Sequence, residues 1–158
     1  MRVVIALLIC LGLIVPSIAS TDTNRLIQPD SAYSPEQVIE IQLFGLQASK
    51  DDITAIEQVW VFAHPDNKRA TGPLVRFARL FTYPAYAPMV GHKGYSYELL
   101  AKDDRTARFR VDLRGRDGNG YSYIWDLRKT LADDVTSEVK EGWWMTTGVT
   151  APRKSDAL

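Results

Sequence analysis

The chain has 158 residues, 46% of them hydrophobic and 24% charged, with 19 basic side chains against 19 acidic ones. That length suits one domain around one core, and the balanced charge excludes an electrostatic footprint for nucleic acid or anionic lipid. A single cysteine, Cys10, excludes a disulfide framework within the chain.

Arg2, the apolar run Val3 to Val15, Pro16, and small Ser17 and Ala19 at −3 and −1 of a cut form a cleavable export signal over residues 1–19. The apolar run of about 13 residues falls short of the roughly 20 that span a bilayer. Cys10 lies mid-run without the small neighbours that a lipoprotein site needs. The expectation is a periplasmic or secreted protein, cut near Ala19, with no membrane attachment afterwards. Cleavage removes Cys10 and with it thiolate metal sites and cysteine nucleophiles. Losing Arg2 leaves the mature chain one charge to the acidic side.

Residues 20–33 are polar and aperiodic, a flexible lead. Ser34-Pro35-Glu36-Gln37 then starts a helix: Ser34 caps, Pro35 fits the first position and Gln37 completes a capping box. The spacing carries it to about Ala48, with Val38, Ile39, Ile41, Leu43 and Leu46 as an apolar stripe. Gln42 falls inside that stripe and Phe44 on the polar side. A second helix is predicted from after Asp52 to Ala63, burying Ile53, Ile56, Trp60 and Ala63. His64-Pro65-Asp66-Asn67 breaks it, because proline turns the preceding residue away from helix. A third opens at Thr71-Gly72-Pro73 and runs to Phe81, burying Leu74, Phe77, Ala78 and Phe81. Tyr83-Pro84 and Ala87-Pro88 close the helical half.

From Gly94 the hydrophobic period changes to two. Tyr95, Tyr97 and Leu99 alternate with Ser96 and Glu98. Ala107, Phe109, Val111 and Leu113 alternate with Arg108, Arg110, Asp112 and Arg114. Tyr121, Tyr123, Trp125 and Leu127 form a third set, with Asp117-Gly118-Asn119-Gly120 as the turn before it. Pairing Leu113 with Tyr123 and Val111 with Trp125 puts every apolar side chain on one face, and sets Arg110 opposite Asp126 on the other. A polar loop, Asp133 to Glu141, leads to a last strand, Trp143 to Val149, and residues 150–158 form a loose tail. The predicted fold is α+β: three N-terminal helices packed on a curved, cone-like antiparallel sheet of four or more strands, spanning residues 34–149.

The run from Phe62-Ala63-His64-Pro65-Asp66-Asn67 through Thr71-Gly72-Pro73-Leu74, with Arg76-Phe77 and Pro84-Ala85-Tyr86-Ala87-Pro88, resembles domain of unknown function 4864, an uncharacterised bacterial family. Ser34-Pro35 to Gln42-Leu43 and Trp144-Met145-Thr146-Thr147-Gly148-Val149 match its ends. That family is similar to the nuclear-transport-factor-2-like, or cystatin-like, cone fold of polyketide cyclases, a steroid isomerase and many non-catalytic pocket proteins. The resemblance implies a cone and supplies no activity, because a fold does not carry a function.

Candidate chemistry is thin. Asp112 and Asp126 belong to a charged ladder on the outer face. His64 and His92 have no metal-ligand spacing, and His64 at a helix end serves as a local cap that meets the dipole. The turn at Asp117-Gly118-Asn119-Gly120 lacks the spaced acidic ligands of a calcium loop. Arg76, Arg79, Lys68 and Arg69 form a solvated helix face. No catalytic residue, metal or cofactor is assigned. An aromatic inner face with Gln42 looking into it suits a mostly apolar ligand with a polar handle. The candidate ligand-binding residues are Gln42, Trp60, Phe77, Tyr86, Tyr97, Tyr123, Trp125 and Trp144. The expected function is a non-catalytic binding or accessory module for a small apolar or amphipathic ligand. The alternatives are an isomerase- or cyclase-like enzyme, which needs a carboxylate or histidine inside the cone, and an interaction module that forms a homodimer through Phe44 or the outer sheet face.

Overall fold

In the computed structural model, residues 26–48, 53–150 and 153–155 are described. The expected signal at 1–19, the start of the lead, and residues 151–152 and 156–158 of the tail lie outside the described residues. Four helices come first: α1 (Pro35–Ala48), α2 (Ile53–Val61), α3 (Pro65–Thr71) and α4 (Leu74–Leu80). Strands β1 (Gly94–Lys102), β2 (Thr106–Arg114), β3 (Gly120–Lys129), β4 (Trp144–Val149) and β5 (Arg153–Ser155) follow. Short 3-10 turns lie at Ala87–Met89 and at Ala132–Asp134, so helical structure is not confined to the N-terminal half. The class is α+β, as the change of period indicates.

The start of α1 is the predicted capping box. The Ser34 N–H donates to Gln37 Oε1 at 2.8 Å and the Gln37 N–H donates to Ser34 Oγ at 3.3 Å. The stripe Val38, Ile39, Leu43 and Leu46 is buried, and so is Gln42, only 1% exposed, while Phe44 stays 68% exposed.

After α1 the helices depart from the prediction, which has three of them. The second ends at Val61 rather than Ala63. The chain then runs extended beside β4: Ala63 bridges Thr146 in parallel, the His64 N–H donates to Thr146 O at 2.8 Å, and the Thr146 N–H donates to Phe62 O at 2.9 Å. His64-Pro65 therefore lies beyond the end of α2 and starts another helix. His64 is the N-cap of α3, its Nδ1 accepting the Asp66 N–H at 3.2 Å, with Pro65 at the first position. Long-range pairing of 62–64 with β4 makes this break, which local propensity shows only as an interruption.

Gly72 closes α3, its N–H bonded to Lys68 O at 2.8 Å. A Cβ there would lie 2.5 Å from Lys68 O and 2.8 Å from the Trp60 ring. Gly72→Ala should therefore destabilise the protein by about 1–3 kcal/mol, the ordinary cost of overpacking, as a lowered urea midpoint with an unchanged slope. An unshifted midpoint would show that the α3–α4 corner relaxes freely.

The sheet order is β1-β2-β3-β4, all antiparallel, with β5 on the first residues of β3 and β4 on its last. The predicted faces are right and the register is not. Leu113 lies opposite Tyr121, Val111 opposite Tyr123 and Phe109 opposite Trp125, two residues from the expected pairing. The turn is centred on Asp117, with the Gly115 N–H bonded to Asn119 O at 2.9 Å and Gly118 at φ +86°. A shift of two returns every side chain to the same face, so alternation cannot detect it. The cross-strand partner of Asp126 is consequently Arg108, at 2.7 Å, and Arg110 pairs instead with Glu98 and Asp112. The inner face (Phe109, Val111, Leu113, Tyr123, Trp125, Leu127) is fully buried with Ile39, Leu43, Leu46 and Phe62 from the helical side.

Candidate ligand cavity

A cavity of about 280 Å³ opens between α1, α3, α4, β4 and the 81–89 segment. Its walls are mostly apolar: Leu46, Val59, Phe77, Leu80, Phe81 and Met89 line it with Tyr86, Trp125 and Val149. Gln42, Asn67, Thr71, Thr146 and Thr147 are the polar lining side chains besides the Tyr86 hydroxyl.

Gln42 anchors the deep end. Its Oε1 accepts from Thr146 Oγ1 at 2.7 Å and from Trp125 Nε1 at 3.3 Å, while Nε2 donates to Val59 O at 3.0 Å. An indole N–H only donates and a backbone carbonyl only accepts, so these partners fix which end of the amide faces which wall. Thr146 Oγ1 also accepts from Trp125 Nε1 at 3.1 Å. Nearer the surface, Asn67 Nδ2 donates to Thr146 O at 3.2 Å, Thr71 Oγ1 donates to Asn67 O at 2.7 Å, and the Tyr86 hydroxyl donates to Val149 O at 3.1 Å.

Of the eight predicted site residues, Gln42, Phe77, Tyr86 and Trp125 line the cavity. The other four lie elsewhere. Trp60 stands behind the wall, its ring 5.0 Å from that of Phe77 and 5.6 Å from the Lys68 ammonium above it. The Tyr97 hydroxyl donates to Glu40 Oε1 at 2.6 Å, across the α1–β1 seam. That hydrogen bond to a carboxylate, with burial added, pushes its pKa up to about 12. Tyr123 points its hydroxyl to Ala85 O at 3.0 Å, and burial raises its pKa. Trp144 packs under the Lys129 ammonium, 5.2 Å from its ring. These four share the apolar face or stripe that the periodicity identifies, but the cavity occupies only one end of it. Among the polar lining side chains, Asn67, Thr71, Thr146 and Thr147 are absent from the set the sequence predicts. Asn67 falls in the expected break and Thr71 at the expected opening of the third helix, whereas both sit in α3, and Thr146 turns inward through its register opposite Leu127.

The carboxylates and histidines lie outside this wall. Asp112 and Asp126 are on the outer face, paired with Arg110 and Arg108. His92 is 2% exposed, with Nε2 3.1 Å from Leu43 O, and burial lowers its pKa. His64 is 0% exposed, and it caps the beginning of a helix rather than the end. A cation is disfavoured there, and the neutral ring accepts at Nδ1. Its Nε2 lies 3.2 Å from Arg128 Nη2 and 3.4 Å from Asp134 Oδ2, and Arg128 Nη2 reaches Asp66 Oδ2 at 2.6 Å. Burial and then the Arg128 charge lower the His64 pKa, outweighing Asp134 and Asp66. Ligand atoms of His64, Asp66 and Asp134 lie within 4.8 Å of one another, a spacing open to a metal ion. The Arg128 guanidinium already supplies a cation among them. A polar groove over the outer sheet face runs past Arg108, Asp126, Arg128 and Asp66, where both arginines are already ion-paired.

The cavity wall thus offers, among the described residues, no carboxylate, imidazole or amine, and Tyr86 is its only titratable group. Such a site can hold a neutral molecule and orient it. No protein-family model, curated protein or solved structure matches the chain, so the family resemblance rests on its quoted residues alone.

Proposed function

We propose that the protein is an exported binding or accessory module, in which a cone-like wrapping of the sheet around α1 to α4 holds a small neutral apolar ligand. The observation that carries this reading is the apolar cavity of about 280 Å³ walled without a charged side chain. Its volume lies just below the usual range of roughly 300–1,000 Å³ for ligand sites, and above the roughly 150 Å³ of an apolar cavity that takes benzene. The same wall argues against the isomerase- or cyclase-like alternative, because His64, His92, Asp112 and Asp126 all lie outside it.

Naphthalene, a neutral probe of suitable size, should bind saturably at one site and quench tryptophan fluorescence through Trp125. Ala70→Phe, which adds a ring to the cavity wall, should weaken that binding about tenfold or more by removing the space where apolar surface is buried. Saturation with several equivalent sites, or equal affinity in the variant, would count against the cavity as the binding site. Turnover of a substrate abolished by Ala70→Phe would instead restore the enzyme reading.

A further inference from the structure

The cavity contains one polar feature that an all-hydrocarbon ligand would leave unused. Gln42 is 1% exposed, and its carbonyl oxygen is fully engaged by Thr146 and Trp125. Its amide nitrogen carries two hydrogens, and the protein accepts one of them, at Val59 O. The second N–H has no protein acceptor among the described residues, and it belongs to a buried side chain that lines the cavity. A buried polar group left unpaired costs more than its pairing contributes, so an occupant that offers an acceptor there binds better than one of the same shape that does not. The remaining polar wall groups lie differently. Thr146 Oγ1 donates to Gln42, Thr71 Oγ1 donates to Asn67 O and Thr147 Oγ1 donates to Asp126 O. Asn67, which also has a spare N–H, sits on half-exposed α3, where water can serve it.

We infer that the ligand is a neutral molecule with an apolar body and one hydrogen-bond acceptor, such as a ketone, ester or ether oxygen, which pairs with the second amide N–H of Gln42. The inference rests on the proposed binding reading and specifies its chemistry. The amide cannot present its oxygen instead, because turning it over would set its NH₂ against the indole N–H of Trp125 and its carbonyl against Val59 O. A ligand whose only polar group is a donor gains nothing at this end, and an anion meets no cation in the wall.

Two probes of nearly equal shape separate the possibilities: 2-acetylnaphthalene, which carries a carbonyl acceptor, and 2-ethylnaphthalene, which does not. Affinities from tryptophan quenching and calorimetry are compared after correction for each probe's partition between water and octanol. The acetyl compound should bind roughly fivefold more tightly, the worth of one neutral hydrogen bond. In ¹⁵N-labelled protein, one side-chain amide proton of Gln42 should move downfield with the acetyl probe and stay in place with the ethyl probe. Equal corrected affinities with an unmoved Gln42 signal would overturn the acceptor inference while leaving the apolar cavity as the binding site. Failure of both probes to bind would overturn the binding reading itself, and the inference with it. Because the wild-type protein is used throughout, no outcome depends on a variant that fails to fold.

Discussion

Gln42→Leu should cost about 2–4 kcal/mol of folding stability, although leucine nearly matches the volume of glutamine and suits an apolar stripe. The substitution removes an acceptor from Thr146 Oγ1 and Trp125 Nε1 and a donor from Val59 O. Each buried group left without a partner costs roughly 1–3 kcal/mol. The indole is partly spared, since Thr146 Oγ1 still accepts from it at 3.1 Å. Residue hydrophobicity alone predicts the opposite sign, because a buried leucine is favourable by about 1.5–3 kcal/mol relative to an exposed one. Urea denaturation decides between them. A midpoint lowered with an unchanged slope supports the hydrogen-bonded anchor, whereas a stability within 0.5 kcal/mol (a value of the order expected for a neutral surface change) would mean that the network contributes nothing net. The double variant with Thr146→Val should lose less than the sum of the two single losses, because both remove members of one network.

Acid should weaken the fold well before the carboxylates titrate. The chain has two histidines, both buried and both with pKa values held below the ordinary 6.5, chiefly by burial. A base whose folded pKa is lowered takes up its proton more readily in the unfolded chain. Its neutral form therefore supports the fold fully above pH 6.5, and that support is lost as pH falls from 6.5 toward the folded pKa. Each imidazole can contribute a slope of up to about 1.4 kcal/mol per pH unit in that window. Denaturation midpoints should be flat from pH 8 to 7 and fall between pH 6.5 and 5. His92→Phe should shallow the fall by removing one of the two protons while keeping the ring. Midpoints that hold level down to pH 5 would show that both histidines protonate in the folded state without penalty. For His64 that outcome would mean that Asp134 and Asp66, at 3.4 and 3.6 Å, outweigh both burial and Arg128.

The features legible in the sequence are those carried by neighbouring residues. The capping box at Ser34 to Gln37 and the apolar stripe of α1 depend on contacts within two turns of one helix. The faces of β2 and β3 depend on a period of two, which a single strand displays without a partner. Gln42 stands out as a polar residue inside an apolar stripe, and its burial follows from the stripe. The change of period at Gly94 is enough to place the chain in the α+β class.

Whatever depends on which distant segments meet was not legible. The register of β2 on β3 is set by a turn centred on Asp117, and a shift of two residues leaves the pattern of faces untouched. The break at His64-Pro65 becomes the start of α3 because residues 62–64 pair with β4, some 80 positions along the chain. The gathering of His64, Asp66, Arg128 and Asp134 follows from that pairing, as does the cap that requires a neutral His64. The cavity itself is the clearest case. Aromatic residues that share one face by alternation divide between a packed core and a cavity wall according to how closely the helices approach. Half of the predicted ligand-binding residues fell on the packed side, because spacing along a strand reports the face of a side chain and carries nothing about the gap opposite it.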